Sequence, residues 1–261
     1  MPFPDIDPVL FAIGPIAIRW YSLAYLAGVF FVLFWIKKSN KKEQFLTQKA
    51  YDDLLGWIIL SIILGGRVGY VLFYNLPFFL DNPLEIIKFW HGGMSFHGGL
   101  AGSILGMMLF SKKYKVDFLK LTDSIAIAAP IGLFFGRVAN FINMELYGRV
   151  TESKFGIIFP NAGQLPRHPS QLYEAFLEGL LLFIILFTLN YFTKLSKLKG
   201  IFSGLFLIFY GSFRIIIENF REPDEQIGFL FAEFTMGQLL SIPLIILGLI
   251  IIIFRLNKEK K

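Results

Sequence analysis

The sequence predicts an all-α polytopic membrane protein of about seven transmembrane helices, with the N-terminus outside and the C-terminus in the cytoplasm. Composition predicts the class: 55% of the 261 residues are hydrophobic and 17% are charged, where a soluble domain carries nearer a quarter charged residues. Recurring apolar runs predict the helices, since each approaches the roughly 20 residues that cross a bilayer. The placement of lysine predicts the orientation. With no cysteine in the chain, disulfides, thiolate catalysis and cysteine-held metals are excluded.

The opening stretch, MPFPDIDPVLFAIGP, has no basic segment and sets Asp5 and Asp7 before the first apolar run. It does not fit a cleavable signal peptide, so the first span is expected to be retained. That span is read at Ile16–Ile36 and the second at Leu54–Asn75. The third, Met94–Phe110, is entered through HGGMSFHGGLAG, which holds two of the three histidines and five glycines. Leu119–Arg137 is the fourth, interrupted at its start by Thr122, Asp123 and Ser124 and carrying Pro130 inside. A polar connection of about 33 residues, 138–170, is expected to form a small external head, with GIIFP as a short strand. In LPRHPSQ, Pro169 suits the first helical position and Gln171 the third, so His168 reads as a cap-region residue. Gln171–Phe192, Ile201–Asn219 and Phe234–Phe254 complete the spans. Neither internal repeats nor a soluble domain are evident, and residues 1–261 read as one integral membrane domain.

Of the 25 Lys and Arg, 16 fall in the connections after spans one, three and five or in the C-terminal tail. Positive residues mark the cytoplasmic side, so the net charge of +6 reads as lysine beside anionic lipid and not as a nucleic-acid footprint. The other nine are Arg19, Arg67, Lys88, Arg137, Arg149, Lys154, Arg167, Arg214 and Arg221, seven of them arginine. Arginine's planar fork suits bidentate contact with phosphate or carboxylate.

This topology puts Arg67, Arg137 and Arg214 in the outer halves of spans two, four and six. Tyr25, His97, Glu174 and Glu178 fall at the same depth on spans one, three and five. Intramembrane charges cost a few kcal/mol and face a bundle interior or a wet cavity. Their convergence therefore points to an anion-binding site at the external leaflet. Tyr210, Arg214, Glu218 and Arg221 lie within roughly an 80° arc of one helix; Arg137 shares a face with Asn140, and Gln171 shares another with Glu174 and Glu178. The plain alternative is that Arg214–Glu218, and Arg67 with some glutamate, are structural ion pairs. Glycines at the mouth of span three let the backbone approach a ligand or another helix, which holds His97 at the depth of the arginines. No HExxH or Cys/His set supplies zinc ligands, and no cofactor is expected. His91, nearer water, reads as a bystander.

Four stretches, HGGMSFHGG, GRVANFINMELYGR, RHPSQLYE and YGSFRIIIENFREPDEQIGF, occur in this order and with this topology. Together they resemble the bacterial prolipoprotein diacylglyceryl transferases, from IRWYSLAY to MGQLLSIP. One position departs: Met144 stands where the family usually has glycine. The resemblance implies transfer of a diacylglyceryl group from phosphatidylglycerol, an anionic lipid of the inner membrane's outer leaflet, to the lipobox cysteine thiol of a preprolipoprotein, releasing glycerol-1-phosphate. It implies that Arg137 and Arg214 are catalytic and hold the phosphate. His97 is expected to take the thiol proton or to orient the headgroup. Tyr25, Arg67, Asn140, Glu145, Gly148, Tyr210 and Glu218 form the expected substrate-binding set, with Glu218 orienting Arg214.

Two other classes fit the sequence less well. A transporter for an anionic solute also uses buried arginines, but the polar set is confined to the outer half and no inverted repeat appears. A CDP-alcohol phosphotransferase wants a clustered, Asp-rich metal motif, which Asp52–Asp53 alone does not make.

Overall fold

The computed structural model describes residues 1–14, 16–223 and 234–259 and is mostly helical. An antiparallel hairpin of β1 (Val9–Ile13) and β2 (Ile16–Arg19) comes first, in register Val9↔Arg19 to Ile13↔Ile16 with Gly14 at φ +59° in its turn. The helices are α1 (Trp20–Glu43), α2 (Gln48–Phe73), the short α3 (Leu76–Asp81), α4 (Phe96–Tyr114) and α5 (Phe118–Ile142). They continue with α6 (Ser170–Phe192), α7 (Ile201–Ile217) and α8 (Met236–Glu259).

A helix stands at each of the seven predicted places, and among the described residues five are by themselves long and apolar enough to cross a membrane: α1, α2, α5, α6 and α8. At 17 residues α7 is shorter. The glycines of α4, with Lys112 and Lys113 in its last turn, keep it out of that group. The first span was expected to begin at Ile16; helix begins instead at Trp20, because IAIR is committed to the hairpin. Pro130 leaves α5 unbroken. Pro169 is the cap of α6 rather than its first residue, one position from the expectation. The DEQIGF end of the fourth motif lies outside the described residues.

The chain forms two compact units, Lys37–Thr122 and Met1–Ile36 with Asp123–Lys261. In the first, α2 begins at its cap Thr47 and α4 at its cap Ser95, each accepting a backbone N–H two or three residues inside the helix. Glycine brings the two helices together: a Cβ on Gly65 would lie 2.6 Å from Gly102 Cα, and one on Gly98 would lie 2.9 Å from Gly69 Cα. The glycines of HGGLAG thus serve a backbone-to-backbone helix contact.

In the second unit, Trp35, Ile127, Ala128, Leu182, Leu186 and Phe202 make a core from α1, α5, α6 and α7. Asp123 of α5 fixes the start of α7, accepting from Gly200 N at 2.6 Å, Ser203 N at 2.7 Å and Ser203 Oγ at 2.8 Å. A carboxylate there satisfies amides that the first turn leaves unbonded and complements the helix dipole. Residues 143–169 have no continuous helix or strand. GIIFP contributes isolated bridges in place of the expected strand, Ile157 to Arg167 and Ile158 to Pro2. Phe141, Ile157 and Phe159 are their core, with Phe3, Met144 and Tyr147 packed around them.

Candidate active site

Three helices of the second unit carry the site. Arg137 lies near the end of α5, Glu174 and Glu178 in the first turns of α6, and Arg214 and Glu218 at the end of α7. A close approach sets α6 against α5: a Cβ on Gly179 would lie 2.8 Å from Phe134 Cα and 3.0 Å from its N. Residues Ala175–Leu181 form a π-helical segment, an irregularity common where side chains are aimed at a function.

Glu174 is the centre. Its Oε2 lies 2.6 Å from Arg137 Nε and 3.4 Å from Arg214 Nη1, and its Oε1 accepts from Arg221 Nη1 at 3.2 Å. Glu178 lies 3.7 Å from Arg137 Nη2 and 3.8 Å from Arg214 Nη1. Its two oxygens accept no hydrogen bond among the described residues. Glu218 pairs with Arg214 Nη2 at 2.5 Å, as the i, i+4 spacing on α7 predicts. Three arginines therefore face three carboxylates, and Glu174 and Glu178 are fully buried. The Arg137 and Arg214 side chains keep 18% and 14% exposure, whereas those of Glu174 and Glu178 keep none.

The other predicted residues are placed as follows. Asn140 is buried and donates to Glu145 Oε1 at 2.8 Å, while Gln171 donates to the Glu145 carbonyl at 2.6 Å. Tyr25 is exposed, 3.4 Å from Tyr21 Oη, and within electrostatic reach of Glu145 and Arg137. Tyr210 stacks on Phe206 at 5.6 Å and feels both arginines and both α6 glutamates. Gly148 bonds His168 O through its N–H at 2.8 Å, and a Cβ there would lie 2.7 Å from His168 O. Arg149 donates to Arg221 O at 2.9 Å and to Glu218 O at 3.2 Å, tying 143–169 to the end of α7.

Arg67 and His97 belong to the other unit. Arg67 was expected to bind substrate. Its buried guanidinium instead donates to backbone carbonyls, to Ile86 at 2.9 Å, Gly92 at 2.5 Å, Gly93 at 3.1 Å, Lys88 at 3.3 Å and also Glu85, over the Phe79 ring at 5.0 Å. Among the described residues no glutamate side chain receives it, and its hydrogen bonds hold the 85–93 loop. His97 is an exposed residue in the first turn of α4. His91 sits 2.9 Å from Glu85 Oε2, and Lys88 lies 2.6 Å from Oε1 of the same carboxylate. The hydrogen bonds from Lys88 and His91 hold the Glu85 carboxyl below its ordinary pKa.

Glu174 and Glu178 stand outside the expected catalytic and substrate-binding sets. Their shared helix face was legible, but a carboxylate is a poor guess for a phosphate site until its arginines are seen to need it.

A family model described as prolipoprotein diacylglyceryl transferase matches residues 8–254. The chain is 54% identical over 249 residues to a phosphatidylglycerol–prolipoprotein diacylglyceryl transferase of Rickettsia felis, covering 95% of this chain and 96% of that one. A relative of the same name from Rickettsia bellii is 54% identical over 254 residues, 97% of each chain. One from Rickettsia canadensis is 55% identical over 249 residues, covering 95% of this chain and 96% of its own.

Proposed function

Because the chain belongs to the prolipoprotein diacylglyceryl transferases, we propose that it moves the diacylglyceryl group of phosphatidylglycerol onto the lipobox cysteine thiol of a preprolipoprotein. A carbon–sulfur bond forms at the glyceryl carbon, the bond from that carbon to phosphate oxygen breaks, and the thiol proton is lost. Glycerol-1-phosphate leaves. The observation that carries this reading is the convergence of Arg137 and Arg214, from different helices, on one buried carboxylate, while neither arginine side chain is fully buried.

In this reading the carboxylates orient the forks, and the N–H groups facing away from them bind the donor phosphate. Charge grows on that phosphate as the ester bond breaks, and donors already oriented stabilise it most. A free thiol with pKa about 8.5 is only a few per cent ionised at neutral pH, so His97 takes its proton or orients the headgroup. Tyr25 and Tyr210 supply hydroxyls to phosphate or glycerol oxygens, and Asn140 with Glu145 and Gly148 forms the wall beside Arg137. Seven helices cross the inner membrane with the N-terminus outside, α4 and α7 beside the five that are long and apolar enough by themselves, and residues 138–170 form the external head. No cofactor enters the scheme.

The test is mass spectrometry of a lipobox-cysteine peptide incubated with the purified protein and phosphatidylglycerol. A diacylglyceryl increment on the cysteine, absent with Arg137→Ala or Arg214→Ala, is the expected result. If both variants fold and keep near-native turnover, the phosphate clamp is wrong. Substantial activity in His97→Gln would assign that residue to orientation alone.

A further inference from the structure

MGQLLSIP, which opens α8, takes no part in the scheme above, yet its glycine touches the ion-pair cluster. The three atoms nearest to a Cβ built on Gly237 are all from Glu218: Oε1, Cδ at 2.5 Å and Cγ at 3.1 Å. That Cβ would overlap the carboxylate that holds Arg214 Nη2 at 2.5 Å. The turn bearing Gly237 is itself fixed. Thr235 N donates to Gln238 Oε1 at 3.1 Å, and Gln238 N donates to Thr235 Oγ1 at 3.2 Å, a reciprocal cap that pins the first turn. Ser241 Oγ donates to the Gly237 carbonyl at 2.7 Å. Along α8 the contact with α7 continues through small residues, since a Cβ on Gly211 would lie 3.0 Å from Ser241 O and one on Gly204 would lie 3.0 Å from Gly248 O.

We propose that Gly237 is a positioning residue for the transfer reaction: it is the seat that lets Glu218 lie against α8 and so aim Arg214 at the donor phosphate. The inference rests on the phosphate role given to Arg214 above. What distinguishes it from a packing role is the identity of the obstructed group. The three atoms nearest to a Cβ at position 237 all belong to one flexible side chain and none to backbone. Glu218 can swing aside without moving either helix, and helices favour alanine over glycine. Gly237→Ala therefore keeps the fold and damages the site. Clearing an ordinary contact moves the carboxylate by about 1 Å, a displacement that can cost an oriented reaction about 10²-fold.

The experiment is a four-member cycle in the purified full-length protein: wild type, Gly237→Ala, Glu218→Gln and the double variant. Lipobox-peptide turnover with phosphatidylglycerol and the thermal midpoint in detergent are measured for each. Gly237→Ala should lose 10- to 100-fold in turnover, to order of magnitude, with a midpoint at or above wild type. In the Glu218→Gln background the same substitution should change turnover by less than about twofold, because the group it acts through is already disabled. Gly56→Ala, at a helical glycine with nothing within 4 Å of its Cβ, should match wild type. The proposal is overturned by native turnover in Gly237→Ala, by a lowered midpoint or failure to fold, or by effects that multiply in the double variant. An active Arg214→Ala variant would sink the phosphate reading itself, whereas an inactive one beside a fully active Gly237→Ala would sink this inference alone.

Discussion

Replacing Glu174 by glutamine removes one charge from a fully buried position and nearly conserves its volume, so the response reports electrostatics more than packing. In the native cluster Glu174 lies 2.6 Å from Arg137, 3.4 Å from Arg214 and 3.2 Å from Arg221. Without it, three guanidinium groups face Glu178 and Glu218 alone, and one positive charge is uncompensated. Removing one member of a buried pair destabilises by about 3–5 kcal/mol. The amide oxygen of glutamine still accepts one hydrogen bond, which argues for the lower end, about 3 kcal/mol. In a chain of this size that corresponds to a fall of about 6–12 °C in thermal midpoint. Arg137 and Arg214 also lose the atom they share, and with it their common aim, so turnover should fall about 10²-fold. Thermal melts in detergent and the lipobox-peptide assay measure the two effects separately. An unchanged midpoint with native turnover would refute the claim that Glu174 organises the arginine pair.

Three further outcomes are expected. Arg67→Lys gives up a fork that serves five carbonyls of residues 85–93. It should expose that loop to limited proteolysis while leaving the KM for phosphatidylglycerol unchanged, and a raised KM would return Arg67 to the binding set. Met144 sits at φ +57° and packs on Phe141, Ile157 and Phe159, so Met144→Gly trades relief of about 1 kcal/mol of left-handed strain against lost contact. Met144→Ala keeps the strain and loses the contact, so alanine should be the less stable variant by about 1 kcal/mol, the reverse of the helix order. Burial lowers the His168 pKa below its ordinary value, so between the two values the unfolded chain holds more protons than the folded one. Its contribution is complete above about pH 6.5 and is lost as pH falls through the folded value; His168→Gln should flatten the melting temperature's fall on acidification.

The helices were legible because each is an apolar run ended by polar residues, and a bilayer requires little more of a span. What composition does not register is commitment elsewhere. IAIR is apolar enough to extend α1, but its alternation and the turn at Gly14 give it to a hairpin. HGGLAG looks like a ligand-binding mouth by the same logic that makes it a helix contact, because glycine permits close approach without naming what approaches. Gly65 and Gly69 on α2 are the partners, and only the fold could supply them.

The site divides along the same line. Periodicity on one helix put Arg214 with Glu218 and Glu174 with Glu178, and both groupings stand in the cluster. Depth in the membrane put Arg67 with Arg137 and Arg214, and that grouping separates by partner. Arg67 donates to neutral backbone carbonyls, whereas Arg137 and Arg214 share a carboxylate and their side chains keep a little exposure. A buried arginine among carbonyls is a finished structure. Two mostly buried arginines that share one carboxylate, inside a cluster that pairs three arginines with three glutamates, can receive an incoming anion without the cost of burying unpaired cations. That difference in partner, which sequence depth alone does not reveal, is the physical reason that the proposed phosphate site rests on Arg137 and Arg214 and not on Arg67.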